Sequence, residues 1–165
     1  MKIVGEVEMG GIAMMSGKNV DLKTFVGSCV AVCLFDFNAK VAGMAHVMLP
    51  RKEASGKSTT VGMEGKYADE AIANMIDGLV RMGAERTRIR SKIAGGASMF
   101  PSRAGGGSID VGKRNVQAIK GILHEKNIPL ISEDTGSNFG RKVIFSLASG
   151  KMTITSNFKK LEKVI

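Results

Sequence analysis

Val30-Ala31-Val32-Cys33-Leu34-Phe35 is apolar at every position, and Val41-Ala42-Gly43-Met44-Ala45-His46-Val47-Met48-Leu49 nearly so. A strand with one wet face alternates between apolar and polar residues. A run without alternation is covered on both faces. Val and Phe favour strand over helix here. Asp36 to Lys40 joins the two runs as a hairpin loop would, though without an Asn-Gly pair. The pair therefore reads as two strands of a β core, the first of them buried on both faces.

Outward from that centre, the first half is strands. Ile3 to Glu8 alternates, Gly10-Gly11 turns, Ile12 to Met15 is a short strand, and Val20 to Phe25 leads into Gly27-Ser28-Cys29. Arg51 to Gly65 is a polar, glycine-rich surface loop. Its Ser55-Gly56-Lys57-Ser58-Thr59 resembles the end of a phosphate-binding loop, but the glycine needed five positions before Gly56 is Arg51. Tyr67 to Met82 has helical spacing in Ala71, Ile72, Met75, Ile76, Leu79 and Met82, ended by Gly83. Arg86 to Ile93 alternates as a strand. A glycine-rich stretch follows, from Gly95-Gly96 past Pro101 to Gly105-Gly106-Gly107. Asp110 then caps a second helix to about Lys126, with Val111, Val116, Ile119, Ile122 and Leu123 inward. Ile128 to Ser132, Lys142 to Leu147 and Met152 to Thr155 are late strands, the last two a hairpin through Ala148 to Lys151. Asp134 falls in a turn, and Lys159 to Ile165 is expected to fray. The expected fold is α+β: a mixed β-sandwich core flanked by helices, in one domain over residues 1–165.

Composition narrows the function classes. The chain has 24 Lys and Arg against 15 Asp and Glu, a net charge of +9. Nucleic-acid binding is not expected, because no basic run interleaves with aromatics, Trp is absent and Tyr67 is the one tyrosine. No apolar run reaches the ~20 residues of a membrane helix. Glu6 comes too early for a signal peptide, so a cytoplasmic protein is expected. Cys29 and Cys33 are four apart, ~13 Å along a strand, too far for a disulfide. Two thiols and two distant histidines match no metal-ligand spacing, so neither metal nor cofactor is predicted.

The chemistry lies at the hairpin's open end. Cys29 starts one strand and His46 lies on the next, where a turn brings them together. A thiol needs a base near neutral pH, and imidazole is the usual one. Gly27-Ser28 bends the chain before Cys29, leaving the Ser28 and Cys29 N–H groups free to face an oxyanion. A third group should orient His46: Thr24 by hydroxyl or carbonyl, or else Ser28 or Asp36. Cys33 reads as core, and His124 as a solvated residue late in a helix.

These residues also resemble a known family. Gly27-Ser28-Cys29-Val30-Ala31-Val32-Cys33-Leu34 with Gly43-Met44-Ala45-His46-Val47-Met48-Leu49-Pro50 is similar to the CheD family of chemotaxis receptor glutamine deamidases. The likeness continues in Gly65-Lys66-Tyr67-Ala68-Asp69, Lys92 to Phe100, Gly112 to Val116 and Glu133-Asp134-Thr135-Gly136, with Ser137 standing where the pattern has glycine. The resemblance implies a sandwich like that of the cysteine-dependent deamidating domain of a cytotoxic necrotising factor. It implies Cys29 as nucleophile and His46 as base. Its threonine falls at Lys23 in some members, one register step from Thr24, which would turn the side chain to the other face. It further implies a thioester mechanism on receptor glutamines, with methyl-accepting chemotaxis receptors as partners and a CheC-type phosphatase as a possible one. The alternative reading is a binding protein that regulates such a phosphatase.

Overall fold

The structure is a computed structural model that describes residues 1–52, 59–99 and 110–165. The Ser55 to Ser58 stretch and the segment with Phe100, Pro101 and Gly105 to Gly107 lie outside the described residues.

The two apolar runs form β4 (Val30–Asp36) and β5 (Val41–Val47), and every residue of both is buried. They pair antiparallel at the centre of a five-stranded sheet. Its other strands are β2 (Ile12–Ser16), β6 (Arg90–Gly95) and β7 (Leu130–Thr135), in the order β2-β5-β4-β6-β7. A second sheet holds β1 (Ile3–Glu6), β3 (Val20–Val26), β8 (Arg141–Ser146), β9 (Lys151–Ser156) and β10 (Leu161–Val164), in the order β1-β3-β8-β9-β10. Helices α1 (Ala68–Arg81) and α2 (Val111–Glu125) complete the architecture.

The absence of alternation in β4 now has its reason. Val30, Val32 and Leu34 pack with Ile72, Met75 and Leu79 of α1 and Ile119 and Ile122 of α2. Ala31, Cys33 and Phe35 face the other sheet, meeting Leu22, Val143 and Phe145. The Phe35 and Phe145 rings stand 4.8 Å apart, a tilted pair within ordinary aromatic contact. The result is three layers: sheet, sheet and helices, with β4 and β5 in the middle one. Asp110 caps α2 by accepting from the Lys113 N–H at 3.0 Å, as expected.

Five expectations are corrected. The strand expected over Arg86 to Ile93 is a short 3-10 turn at Arg86–Arg88 followed by β6 from Arg90. Val111 is exposed, because Gly112 sits directly on the Gly96 and Ala97 carbonyls and turns the opposite side of that helical turn to solvent. The strand expected at Ile128 starts two residues later, after Pro129, and runs parallel to β6 through Thr135. Asp134 is therefore in a strand instead of a turn, between Arg141 (3.0 Å) and Lys163 (3.2 Å). The C-terminal residues do not fray: β10 pairs with β9, and Ile165 exchanges backbone hydrogen bonds with Met152. Buried Lys92 reinforces that end by donating to the Gly150 and Ile165 carbonyls at 2.7 and 2.9 Å.

Candidate active site

The β4–β5 register places Ala31 opposite His46. Period-two alternation puts Cys29 on the face of Ala31 and Cys33, and all three pack in the layer between the sheets. Cys29 is thus the diagonal neighbour of His46. Diagonal positions stand about 7–8 Å apart or somewhat less at Cβ, within the combined reach of a thiol and an imidazole. Cys29 is partly exposed and Cys33 fully buried, so only the first presents sulfur to a substrate.

His46 is held from behind. Thr24 Oγ1 lies 3.0 Å from His46 Nδ1 and 2.7 Å from the Val7 carbonyl oxygen. A hydroxyl has one hydrogen, and the carbonyl can only accept it. Toward His46 the hydroxyl must therefore accept, so this chain of bonds assigns the ring hydrogen to Nδ1. Nε2 is left with its lone pair, as a base toward Cys29 requires. Burial pushes the His46 pKa below its ordinary value and raises that of the Cys29 thiol. Both effects favour a neutral resting pair over a thiolate–imidazolium one.

The register question at Thr24 is answered by β3. Val20, Leu22, Thr24 and Val26 are buried, while Phe25 points out. Lys23 sits on the outer side, 3.4 Å from Glu6. Of the other orienting groups considered, Asp36 lies at the far end of β4, held by Arg88. Ser28 offers its carbonyl to Asn115. His124 is exposed near the end of α2.

The corner before Cys29 is fixed by its neighbours. The Gly27 carbonyl accepts from Ala97 N–H at 3.0 Å, and the Cys29 carbonyl from Gly96 N–H at 2.9 Å. Gly95, at φ +124°, passes so close that a Cβ there would stand 2.4 Å from the Cys29 carbonyl oxygen. Asn115, fully buried on α2, donates to the Met48 carbonyl at 3.0 Å and the Ser28 carbonyl at 3.4 Å. One side chain thereby ties the residue before the thiol to the strand end after the imidazole. The N–H groups of Ser28 and Cys29 meet no acceptor among the described residues. A cleft of about 300 Å³ leads to His46 past Glu6, Glu8, Met9 and Phe25. Among the described residues, no three His, Cys, Asp or Glu gather as metal ligands would.

Three supports escaped the sequence reading: the Val7 carbonyl, Asn115 and the close pass of Gly95. Asn115 left one signal, as a polar residue on the inner, apolar face of α2.

A thiol beside a neutral imidazole, at the mouth of a β-sandwich, is an arrangement of the cysteine-hydrolase class. The chain belongs to the CheD family: residues 48–156 match the family model described as CheD chemotactic sensory transduction. It is 45% identical over 154 residues to a probable chemoreceptor glutamine deamidase CheD of Methanococcus vannielii, covering 92% of this chain and 94% of that one. It is 42% identical over 153 residues to the chemoreceptor glutamine deamidase CheD of Thermotoga maritima, covering 93% and 90%. Among solved structures it resembles a Neisseria meningitidis protein of the DUF152 family, at a TM-score of 0.50 and 9% identity over 82% of this chain and 64% of that one. That last likeness is one of fold alone. No helix among the described residues is long and apolar enough to cross a membrane.

Proposed function

We propose that this chain is a cytoplasmic deamidase that hydrolyses side-chain carboxamides of chemoreceptor glutamines, with Cys29 as nucleophile and His46 as general base and acid. The observation that carries the reading is the bond chain from Val7 through Thr24 to His46, which leaves Nε2 free on the face that Cys29 shares.

The steps follow from that geometry. As the Cys29 sulfur attacks the carboxamide carbon, its proton passes to His46 Nε2. The imidazolium is steadied by Thr24, whose hydroxyl oxygen accepts from Nδ1. The carbonyl oxygen takes the negative charge and meets the open N–H groups of Ser28 and Cys29. When the intermediate collapses, the C–N bond breaks and the Nε2 proton leaves with ammonia. A thioester remains on Cys29. Water then attacks it, giving its proton to Nε2, and the sulfur departs and recovers that proton. Glutamate and the free thiol result. No cofactor takes part in this balance.

The test is ammonia release and glutamine-to-glutamate conversion, followed by mass spectrometry, on a chemoreceptor cytoplasmic fragment. Cys29→Ala is the control. Conversion that disappears in the variant supports the deamidase. A folded protein with no conversion on its cognate receptor would sink it and favour the adaptor role, with a CheC-type phosphatase as the partner to assay next.

A further inference from the structure

A second cleft, of about 480 Å³, opens beside Gly27, two positions before Cys29. Phe25 forms the ridge between it and the cleft that leads to His46, lining both. Exposed Phe25, Met99 and Phe158 give it apolar walls. Its lining also holds two buried polar side chains, Arg141 and Ser156, at 3% and 4% exposure.

Both are incompletely satisfied. Arg141 Nε donates to Asp134 Oδ2 at 3.0 Å, and the Phe139 ring lies 4.8 Å from the guanidinium carbon. Among the described residues, Arg141 Nη1 and Ser156 Oγ have no hydrogen-bond partner. Buried donors left unpaired are costly and rare. The local charge is unbalanced as well. Among the described residues, Asp134 is the carboxylate paired with Arg141, and it is shared with Lys163. Among the described residues, the cleft lining contains Arg141 and Lys142 and no acid, whereas the cleft at His46 contains Glu6 and Glu8 beside Lys23. A group that completes the site would accept hydrogen bonds, and the surplus of cations favours one that carries negative charge. A carboxylate does both, and a guanidinium with a free N–H is its usual receptor.

We propose that Arg141 and Ser156 form a carboxylate subsite for an acidic side chain that neighbours the target glutamine on the substrate chain. The proposal rests on the deamidase reading. Substrate bound at Cys29 has its next turn of chain beside Gly27, and an acid there would be drawn into this cleft while a neutral residue would not. The pair would select among glutamines by their acidic neighbours. It does so by positioning, without touching the reacting atoms.

The experiment uses two fluorescein-labelled receptor-helix peptides with one glutamine each, identical except for glutamate or alanine at the positions within one turn of it. Fluorescence polarisation is read on the Cys29→Ala protein, so that no turnover intervenes. The glutamate peptide should bind about tenfold tighter. That preference should fall to about twofold or less when Arg141→Lys or Ser156→Ala is added, the alanine peptide binding all three proteins alike. Arg141→Lys keeps a cation for Asp134 and loses the fork. Ser156→Ala removes a hydroxyl that has no partner among the described residues, and either suffices if the other fails to fold. Equal binding of the two peptides, or a preference that survives both substitutions, overturns the subsite. Ammonia release by the protein with Cys29 intact judges the deamidase reading separately. Release without a charge preference sinks the subsite alone. A preference that depends on Arg141, without release, supports the subsite and sinks the deamidase.

Discussion

The two ends of β4 solve opposite problems. At its beginning, Cys29 is half open, its carbonyl pressed by Gly95 and its thiol unpaired beside a neutral imidazole. At its end, Asp36 is fully buried and saturated. It accepts from the N–H groups of Asn38, Ala39 and Glu85 at 2.9–3.1 Å and pairs with Arg88 at 2.9 Å. Burial pushes the Asp36 carboxyl up, but Arg88 and the Glu85 and Ala39 N–H donors outweigh it and hold the group below its usual value. One strand thus carries an under-satisfied group at the proposed site and an over-determined one where the hairpin turn and the 3-10 turn before β6 are clasped. The difference teaches that reactivity at the proposed site is a matter of what is left unpaired at one end of a strand whose other end is fully paired.

The sharpest way to break the comparison is to delete each end in turn. Cys29→Ala should lower deamidation by at least about a thousandfold while its urea midpoint scarcely moves. Asp36→Ala should do the reverse. It should cost on the order of 2–4 kcal/mol of stability, because several donors lose their acceptor at once, and leave the turnover of the folded fraction intact. A large stability loss at Cys29, or an activity loss at Asp36 in the folded protein, would erase the distinction.

Next in size is Thr24→Val, which keeps shape and removes the oxygen that receives the His46 hydrogen. We expect turnover to fall roughly 10–100-fold, with Thr24→Ser recovering most of it. Equal activity in wild type and Thr24→Val would show that the ring is oriented by packing alone.

The ends should also part in pH. The folded protein prefers neutral His46, so below the ordinary 6.5 the unfolded chain takes up the proton first. The stabilisation from this group is whole above 6.5 and is lost as pH falls through the lower folded value. The acid limb of kcat/KM should likewise lie below 6.5. Asp36 contributes fully above its ordinary 3.8 and loses that contribution only as pH falls through a still lower folded value. A pH series of melting temperatures, with Asp36→Asn beside wild type, separates the two windows. An acid limb above 6.5 would mean that His46 is stabilised as the cation, contrary to its burial.

The smallest effect belongs to Cys33. Cys33→Ala should keep turnover and cost about 1 kcal/mol through a lost sulfur contact. Alkylation should label Cys29 alone in the folded protein and both thiols in urea. Early labelling of Cys33 would show that the layer between the sheets opens.

Much of this was legible in the sequence, for reasons that also explain the rest. β4 and β5 announce themselves because a strand covered on both faces has nothing to alternate. α2 was fixed by Asp110 and its apolar stripe. The two hairpin pairings, β4 with β5 and β8 with β9, are legible from their short connections; the other strand partners are not, since a pattern marks a strand without naming a distant neighbour. The parallel pairing of β1 with β3 and of β6 with β7 is therefore new from the structure. β10 was missed because Leu161-Glu162-Lys163-Val164 is exposed throughout and has no apolar face to betray it. The Cys29 and His46 positions could be read from residue types and spacing. The face of Thr24 could not, because one register step decides it, and only the inward set of Val20, Leu22 and Val26 shows which step is taken.

The chain of bonds behind His46 ends on the Val7 carbonyl, an oxygen that every amino acid possesses. Natural variation at position 7 can therefore exchange the side chain without touching that contact, provided the backbone keeps its path. The last anchor of the imidazole is inherited as a trajectory of the main chain and leaves no letter for an alignment to find.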